Sequence, residues 1–285
     1  MNSNIKRNAR IVVAIFLLVV AVGEILTFSS RSATASADSH VERFRSGTIG
    51  KDWIGVYARV VDVSPATTSA TVRVVVIPHG AFAGPHDSLL LPITVTADGM
   101  GSQVNFADHQ IPAPLQLTLD LNGDQSQYPL DSYRALLNVR VTDTATQEAV
   151  PTELILRSSR HDWNIHGTER EAYDGAIAIA ISSSRAGATA GFALFVLLLM
   201  VLIASIAATV TYKTIVRSEK VGLETLAWLV GTMFILPAIR GQMPGVPMVG
   251  TVADLSVYFW CLLTVVTCIV AAGVSYVRGL KSDED

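Results

Sequence analysis

The sequence predicts a membrane α+β protein, in which an extracytoplasmic antiparallel β-sandwich lies between one N-terminal and three C-terminal transmembrane helices. Two patterns lead to this prediction. Residues 192–208 read FALFVLLLMVLIASIAA, without a charged residue, and a helix needs roughly 20 apolar residues to cross a bilayer. Before this run, between residues 53 and 182, apolar residues recur at every second position in several short segments, which is typical of half-buried β-strands.

Residues 1–28 predict a short cytoplasmic tail and a signal-anchor helix. Three cations, Lys6, Arg7 and Arg10, precede an apolar stretch from Ile11 to Phe28. A cleaved signal peptide is the alternative, because small residues at 33–37 match the usual cleavage pattern. The apolar stretch is longer than a typical signal core of about 7–15 residues, and the cleavage pattern lies well beyond its end. Both features favour an uncleaved anchor.

Residues 29–45 are rich in Ser, Ala and Arg and predict a linker, and residues 46–186 predict the β-sandwich. Pro92 interrupts one apolar alternation, which predicts an edge strand or a bulge there. Many short strands separated by turn residues are typical of an antiparallel sandwich. We expect strands around residues 54–60, 72–76, 89–95, 115–121, 133–141, 153–157 and 175–182.

Residues 187–278 predict a three-helix transmembrane domain, followed by a cytoplasmic tail at 279–285. The first span covers Gly187 to Tyr212, and the next two run from about residue 223 to 239 and from about 255 to 277. Gly187 and Gly191 are four residues apart, a spacing that lets another helix approach closely. A flexible joint at this position is the alternative.

The distribution of cations predicts the orientation of the spans. Lys and Arg cluster in the N-terminal tail, in the loop 213–221 and in the C-terminal tail. Because short cytoplasmic loops carry an excess of Lys and Arg, we expect these three segments in the cytoplasm and the sandwich outside. The sequence therefore predicts a multi-pass protein of the plasma membrane with both termini in the cytoplasm.

The sequence supplies no motif for catalysis, for a cofactor or for a metal, and we expect a protein that is not an enzyme. The six histidines lack the spacing of a zinc site. A pattern similar to a calcium-binding loop is formed by Asp120, Asn122, Asp124 and Asp131. Gln125, however, stands at the position where that loop needs glycine. The net charge of −3 gives no support for nucleic acid or another strongly charged partner. The two cysteines lie seven residues apart in one predicted helix and cannot bridge each other.

The loop 240–254 carries the most specific local pattern. Its three glycines and two prolines make it irregular. Arg240 closes one predicted helix and Asp254 opens the next, and each charge suits the dipole of its helix end. We predict that Arg240 and Asp254 form an ion pair that fixes the hairpin. Two roles stay open for the loop, a structured turn or a coupling or small-ligand site.

Two motifs, at residues 128–133 and 240–254, resemble a known family. Together with one span before the sandwich and three after it, they resemble the uncharacterised membrane-protein family called domain of unknown function 4436. The resemblance covers the chain from the sandwich to the last helix, and it implies the architecture and no reaction. The candidate residues for a structural or coupling motif are Tyr128, Pro129, Asp131, Arg240, Pro244, Gly245, Pro247, Gly250 and Asp254.

These observations favour a binding or assembly component of the cell envelope that uses its extracytoplasmic sandwich. Its expected partners are the lipid bilayer and either another envelope protein or further copies of itself, and no nucleic acid. A subunit of a homo-oligomeric channel or transporter is the alternative. A sandwich followed by helices also resembles pentameric ligand-gated channels, but the number of spans differs and the cysteine loop of that family is missing.

Overall fold

The computed structural model describes residues 41–46, 50–98, 103–172, 175–216, 221–245 and 247–282. These residues form two compact units. One unit contains the β-strands. The other contains three helices together with the short segment Gln125–Pro129. The predicted N-terminal span, and with it the choice between a signal anchor and a signal peptide, lies outside the described residues.

The strands of the first unit form two sheets. The first sheet contains, in order across the sheet, β1 (Glu42–Ser46), β9 (Thr152–Ser158), β2 (Trp53–Ser64), β3 (Ser69–His79) and β6 (Leu115–Asp120). The second contains β10 (Trp163–Arg170), β11 (Ile177–Arg185), β8 (Ser132–Asp143), β4 (Ile93–Ala97) and β5 (Val104–Phe106), while β7 (Asn122–Gly123) also pairs with β8. The pairing is antiparallel throughout the described strands except between β2 and β9, which run parallel.

One apolar core fills the space between the two sheets. Alternate residues of each strand point into it, as the two-residue period of the sequence predicts. In β2, Ile54, Val56 and Val60 are fully buried while Arg59, on the opposite face, is exposed. Leu137 of β8 contributes to the same core from the second sheet. The predicted sandwich is thus confirmed as two sheets that are rich in antiparallel pairs, with one parallel pair that the sequence analysis did not foresee.

Two strand predictions need correction, and three further strands were not predicted. Strand β1 begins at Glu42, inside the range expected for the linker. The sequence did not predict this strand because charged residues on its outer face conceal an alternation in which Phe44 packs against the core. Strand β4 starts only at Ile93, after Pro92, and lies between β5 and β8, so it is an interior strand. Leu89 is buried in the irregular segment before it, where its backbone bonds to residues 109 and 110. The short strands β5 and β7 and the polar strand β10 were not predicted, because none of them carries a clear apolar alternation.

The helical unit contains α1 (Gly187–Val216), α2 (Leu223–Arg240) and α3 (Phe259–Ser282), the last preceded by one π-helical turn, Asp254–Tyr258. All three helices are long and apolar enough to cross a membrane. The helices bury stripes with residues three or four apart, as expected for packed helices. The stripe of α1 contains Ala193, Met200, Ala204 and Ala207, and that of α3 contains Cys261, Val265, Cys268 and Ala272. Both cysteines are free thiols.

The two glycines at the start of α1 have different surroundings. Gly191 is buried, whereas a Cβ atom added to Gly187 would have open space around it. The spacing of these two glycines therefore does not bring another described element against Gly187. The stripe of small residues that α1 buries begins further along the helix, at Gly191 and Ala193.

Candidate functional site

The hairpin between α2 and α3 is closed by an ion pair between Arg240 and Asp254. The Arg240 Nε donates to Asp254 Oδ1 at 2.7 Å, and Nη2 donates to Oδ2 at 2.7 Å. The Asp254 side chain is 1 % exposed and that of Arg240 is 11 % exposed. Two parallel charge-assisted bonds fix the guanidinium plane as well as its position. The ion pair predicted from the sequence is therefore present.

Backbone groups of the same hairpin form further hydrogen bonds with this pair. Arg240 Nη2 also donates to the carbonyl oxygens of Pro247 and Met248, at 3.2 and 3.1 Å. Asp254 Oδ2 accepts from the backbone N–H of Gly250 at 2.9 Å. Gly250 has a φ of +101°, a conformation that other residues rarely adopt. A buried pair is tolerated when such additional bonds offset its desolvation, and here they also hold the irregular loop in one shape.

Tyr128, from the segment Gln125–Pro129, packs in the helical unit beside the hairpin. Its side chain is 1 % exposed and belongs to the apolar cluster of the helices. The Tyr128 hydroxyl donates to the carbonyl oxygen of Pro244 at 3.2 Å, and the peptide bond to Pro129 is cis. Gly245, with a φ of +75°, follows Pro244 directly. The two motifs of the sequence analysis therefore meet through Tyr128 and Pro244.

Asp131 belongs to a different cluster, within the sandwich unit. It accepts a bond from Arg185 Nε at 2.6 Å and another from the Tyr133 hydroxyl at 2.9 Å. The Arg185 guanidinium lies 4.8 Å from the ring centre of Trp163, which in turn packs edge-on against Tyr133. Burial, together with the bond to Asp131, raises the pKa of Tyr133 well above its ordinary value of 10.0. This cluster joins the start of β8, the end of β11 and the start of β10.

The structure therefore divides the candidate residues between two clusters. Sequence reasoning missed Arg185, Trp163 and Tyr258, whose ring centre lies 5.8 Å from the Arg240 guanidinium. The available signal for Arg185 was a charge immediately before an apolar span, at the end of an alternating strand. That signal does not identify a partner 54 residues away in sequence. The candidates in the hairpin cluster are Tyr128, Pro129, Arg240, Pro244, Gly245, Pro247, Gly250 and Asp254.

In the described part of the chain, no three residues among His, Cys, Asp and Glu lie close enough to hold a metal ion. Two residues of the pattern that resembles a calcium-binding loop have structural roles, since Asn122 forms part of β7 and Asp131 pairs with Arg185.

Two family models match the chain. The first, described as Domain of unknown function (DUF4436), matches residues 44–182. Residues 44–182 are a domain of the DUF4436 family. The resemblance seen in the sequence is thereby confirmed for the strands, but the DUF4436 match ends in β11. A second model, described as Domain of unknown function (DUF8686), matches residues 185–279 and covers the three helices. No curated protein matches the chain.

Proposed function

We propose that this protein is an integral membrane protein of the cell envelope whose DUF4436 domain is a binding or assembly module outside the cytoplasm. The observation that carries the proposal is the contrast between the surfaces of its two units. The three helices expose large apolar side chains along their length, among them Phe234 at 67 %, Trp260 at 63 % and Leu263 at 55 %. Such a continuous apolar surface is expected where lipid is the solvent.

The DUF4436 domain has the opposite character, because most of its large apolar side chains lie between its sheets and its outer faces carry charged residues, although Ile111, Leu130 and Leu136 are exposed. A domain of this kind is suited to water and does not need the bilayer for its own stability. We therefore propose that the helices span the membrane and that the sheets carry the binding surface.

The cations support the proposed orientation. Lys213 lies in the last turn of α1, and Arg278 lies near the end of α3. Both belong to the short cation-rich segments that face the cytoplasm in most membrane proteins. With these ends inside, the Arg240–Asp254 hairpin and the DUF4436 domain are outside.

The contacts of the hairpin favour its structural role over a small-ligand site. Arg240 and Asp254 bind each other and the backbone of their own loop. A ligand would have to replace these bonds, at a cost of a few kcal/mol for breaking a buried pair. We therefore assign to the hairpin the role of holding α2 and α3 together, and to the sheets the role of binding.

The mass of the complex, extracted gently from its own membrane, tests the assembly role. A complex with a different protein supports the proposal and identifies the partner. A closed ring of identical subunits would contradict it and favour the channel or transporter reading. A lone monomer would exclude stable assembly and leave soluble or polymeric ligands of the sheets to be tested.

A further inference from the structure

Three arginines stand side by side on the outer face of the first sheet. Arg59 of β2 lies directly opposite Arg73 of β3 and directly beside Arg157 of β9. All three side chains are exposed, and the three strands are adjacent in the sheet. Because neighbouring strands lie about 4.8 Å apart, this arginine row extends over roughly 10 Å. Arg43 of β1 adds a fourth exposed cation, opposite Ile155 of β9.

Two acids on this face are already paired with other cations, and a third, the exposed Asp120 of β6, lies opposite Ser69, four residues along β3 from Arg73. Glu153 accepts a bond from Arg45 at 2.9 Å. Asp62, which lies opposite Thr71, faces Arg160 at 3.7 Å. Within the described residues, no side chain of the row has a hydrogen bond or an ion pair. Like charges directly opposite one another on a sheet destabilise it, so the row carries a cost that a bound anion would remove.

An aromatic cluster lies next to the row on the same face. Tyr57 is two residues before Arg59, one step of about 6.6 Å along the strand. Trp53 and His79 follow further along, with their rings stacked at 3.9 Å. A Cβ atom on Gly55 would meet the rings of all three residues within 3.1 Å. The glycine thus lets the rings lie against the sheet and leaves an aromatic surface beside the cations.

We propose that this face binds an anionic polysaccharide. The planar guanidinium groups are suited to sulfate, phosphate or carboxylate groups, which accept two bonds from one arginine. The aromatic surface is suited to the apolar face of a sugar ring. Cations and rings lie on one face of the sheet at the spacing of the strands, so an extended polymer contacts both at once. The proposal deepens the binding role given above to the DUF4436 domain.

The net charge of the chain does not reveal this row. The whole chain carries −3, which gave no support for a strongly charged partner. The net charge adds up the acidic and basic residues of every face of the molecule, whereas strand pairing brings three arginines onto one face. Only the register reveals the row.

The test uses the full chain in a neutral detergent, with dextran sulfate as the probe and neutral dextran for comparison. The variant R59Q/R73Q/R157Q should lose affinity for dextran sulfate by roughly tenfold per arginine, since each charge-assisted bond is worth 1.5 kcal/mol or more. The matched control K51Q/R134Q/R170Q removes the same charge from exposed residues outside the row and should lose less than threefold. Equal losses in the two variants would overturn the proposal.

Two further binding measurements distinguish an anionic saccharide from other anionic ligands. Y57A should weaken the binding of dextran sulfate several-fold and leave the binding of inorganic polyphosphate unchanged. Equal losses for both probes would contradict the saccharide. Stronger binding to phosphatidylglycerol vesicles than to dextran sulfate, lost in the row variant, would assign the row to lipid headgroups. These results do not depend on orientation, so a DUF4436 domain found in the cytoplasm would refute the proposed function without affecting them.

A stability measurement checks that the row variant is folded. At low ionic strength R59Q/R73Q/R157Q should melt at or above the temperature of the unaltered protein, because repulsion between the arginines has been removed. The difference should shrink as salt screens the charges. A lower melting temperature would show that the arginines have a structural role in the sheet, and the proposal would fail.

Discussion

Replacing Arg240 by alanine removes one partner of a buried ion pair. Asp254, with a side chain only 1 % exposed, would lose two bonds of 2.7 Å and keep the backbone N–H groups of Gly250 and Thr251. Removing one member of a buried pair costs about 3–5 kcal/mol. Because two backbone donors remain on the carboxylate, we expect a loss of about 3 kcal/mol, at the lower end of that range.

The assay is a double-mutant cycle with R240A, D254A and the double variant, measured by chemical unfolding in mild detergent. Trp228 and Trp260 lie in α2 and α3 and report on the helical unit. We expect a coupling energy of at least about 1 kcal/mol. R240K keeps the charge without the two-bond geometry and should recover only part of the stability. Additive losses in the two single variants would refute the reasoning, because independent residues do not couple.

Two predictions concern the sandwich. Gly55→Ala should lower the unfolding free energy by about 1–3 kcal/mol, because the added Cβ would press into three aromatic rings. Gly50→Ala is the control and should cost little, since a Cβ at Gly50 has open space around it. Equal losses in the two variants would show that the rings are not packed over Gly55. The pKa of Tyr133 is raised in the folded state above its ordinary value of 10.0, so folding favours the neutral phenol and stability should fall as the pH rises above about 10. Tyr133→Phe should flatten this alkaline decline in melting temperature, and an unchanged decline would contradict the raised pKa.

The three C-terminal helices and the central strands could be predicted from the sequence because their signals are local. The uninterrupted apolar run at 192–208 predicts a membrane helix from its own composition. A two-residue alternation predicts which face of a strand is buried, and the partner strand need not be known. The Arg240–Asp254 pair was predictable for a related reason. The two residues end neighbouring helices and are joined by one short loop, so the hairpin itself brings them together.

The remaining features depend on contacts that are distant in sequence. Asp131 and Arg185 meet only because β8 and β11 are neighbours in the second sheet. The arginine row requires the register of three strands, one of which, β9, is inserted between β1 and β2 and runs parallel to β2. Strand β1 escaped prediction because Glu42, Arg43 and Arg45 give it the composition of a linker. Pairing and register, which no single segment encodes, account for these misses.

The most direct test of the account is the side of the membrane on which the DUF4436 domain lies. After replacement of Cys261 and Cys268 by alanine, one new cysteine is placed at exposed Gln116 in β6 or at exposed Lys213 near the end of α1. A membrane-impermeant maleimide is then applied to intact cells and to permeabilised cells. We predict labelling of Q116C in intact cells and of K213C only after permeabilisation. Labelling of K213C but not Q116C in intact cells would contradict the proposed orientation and, with it, a binding module outside the cytoplasm.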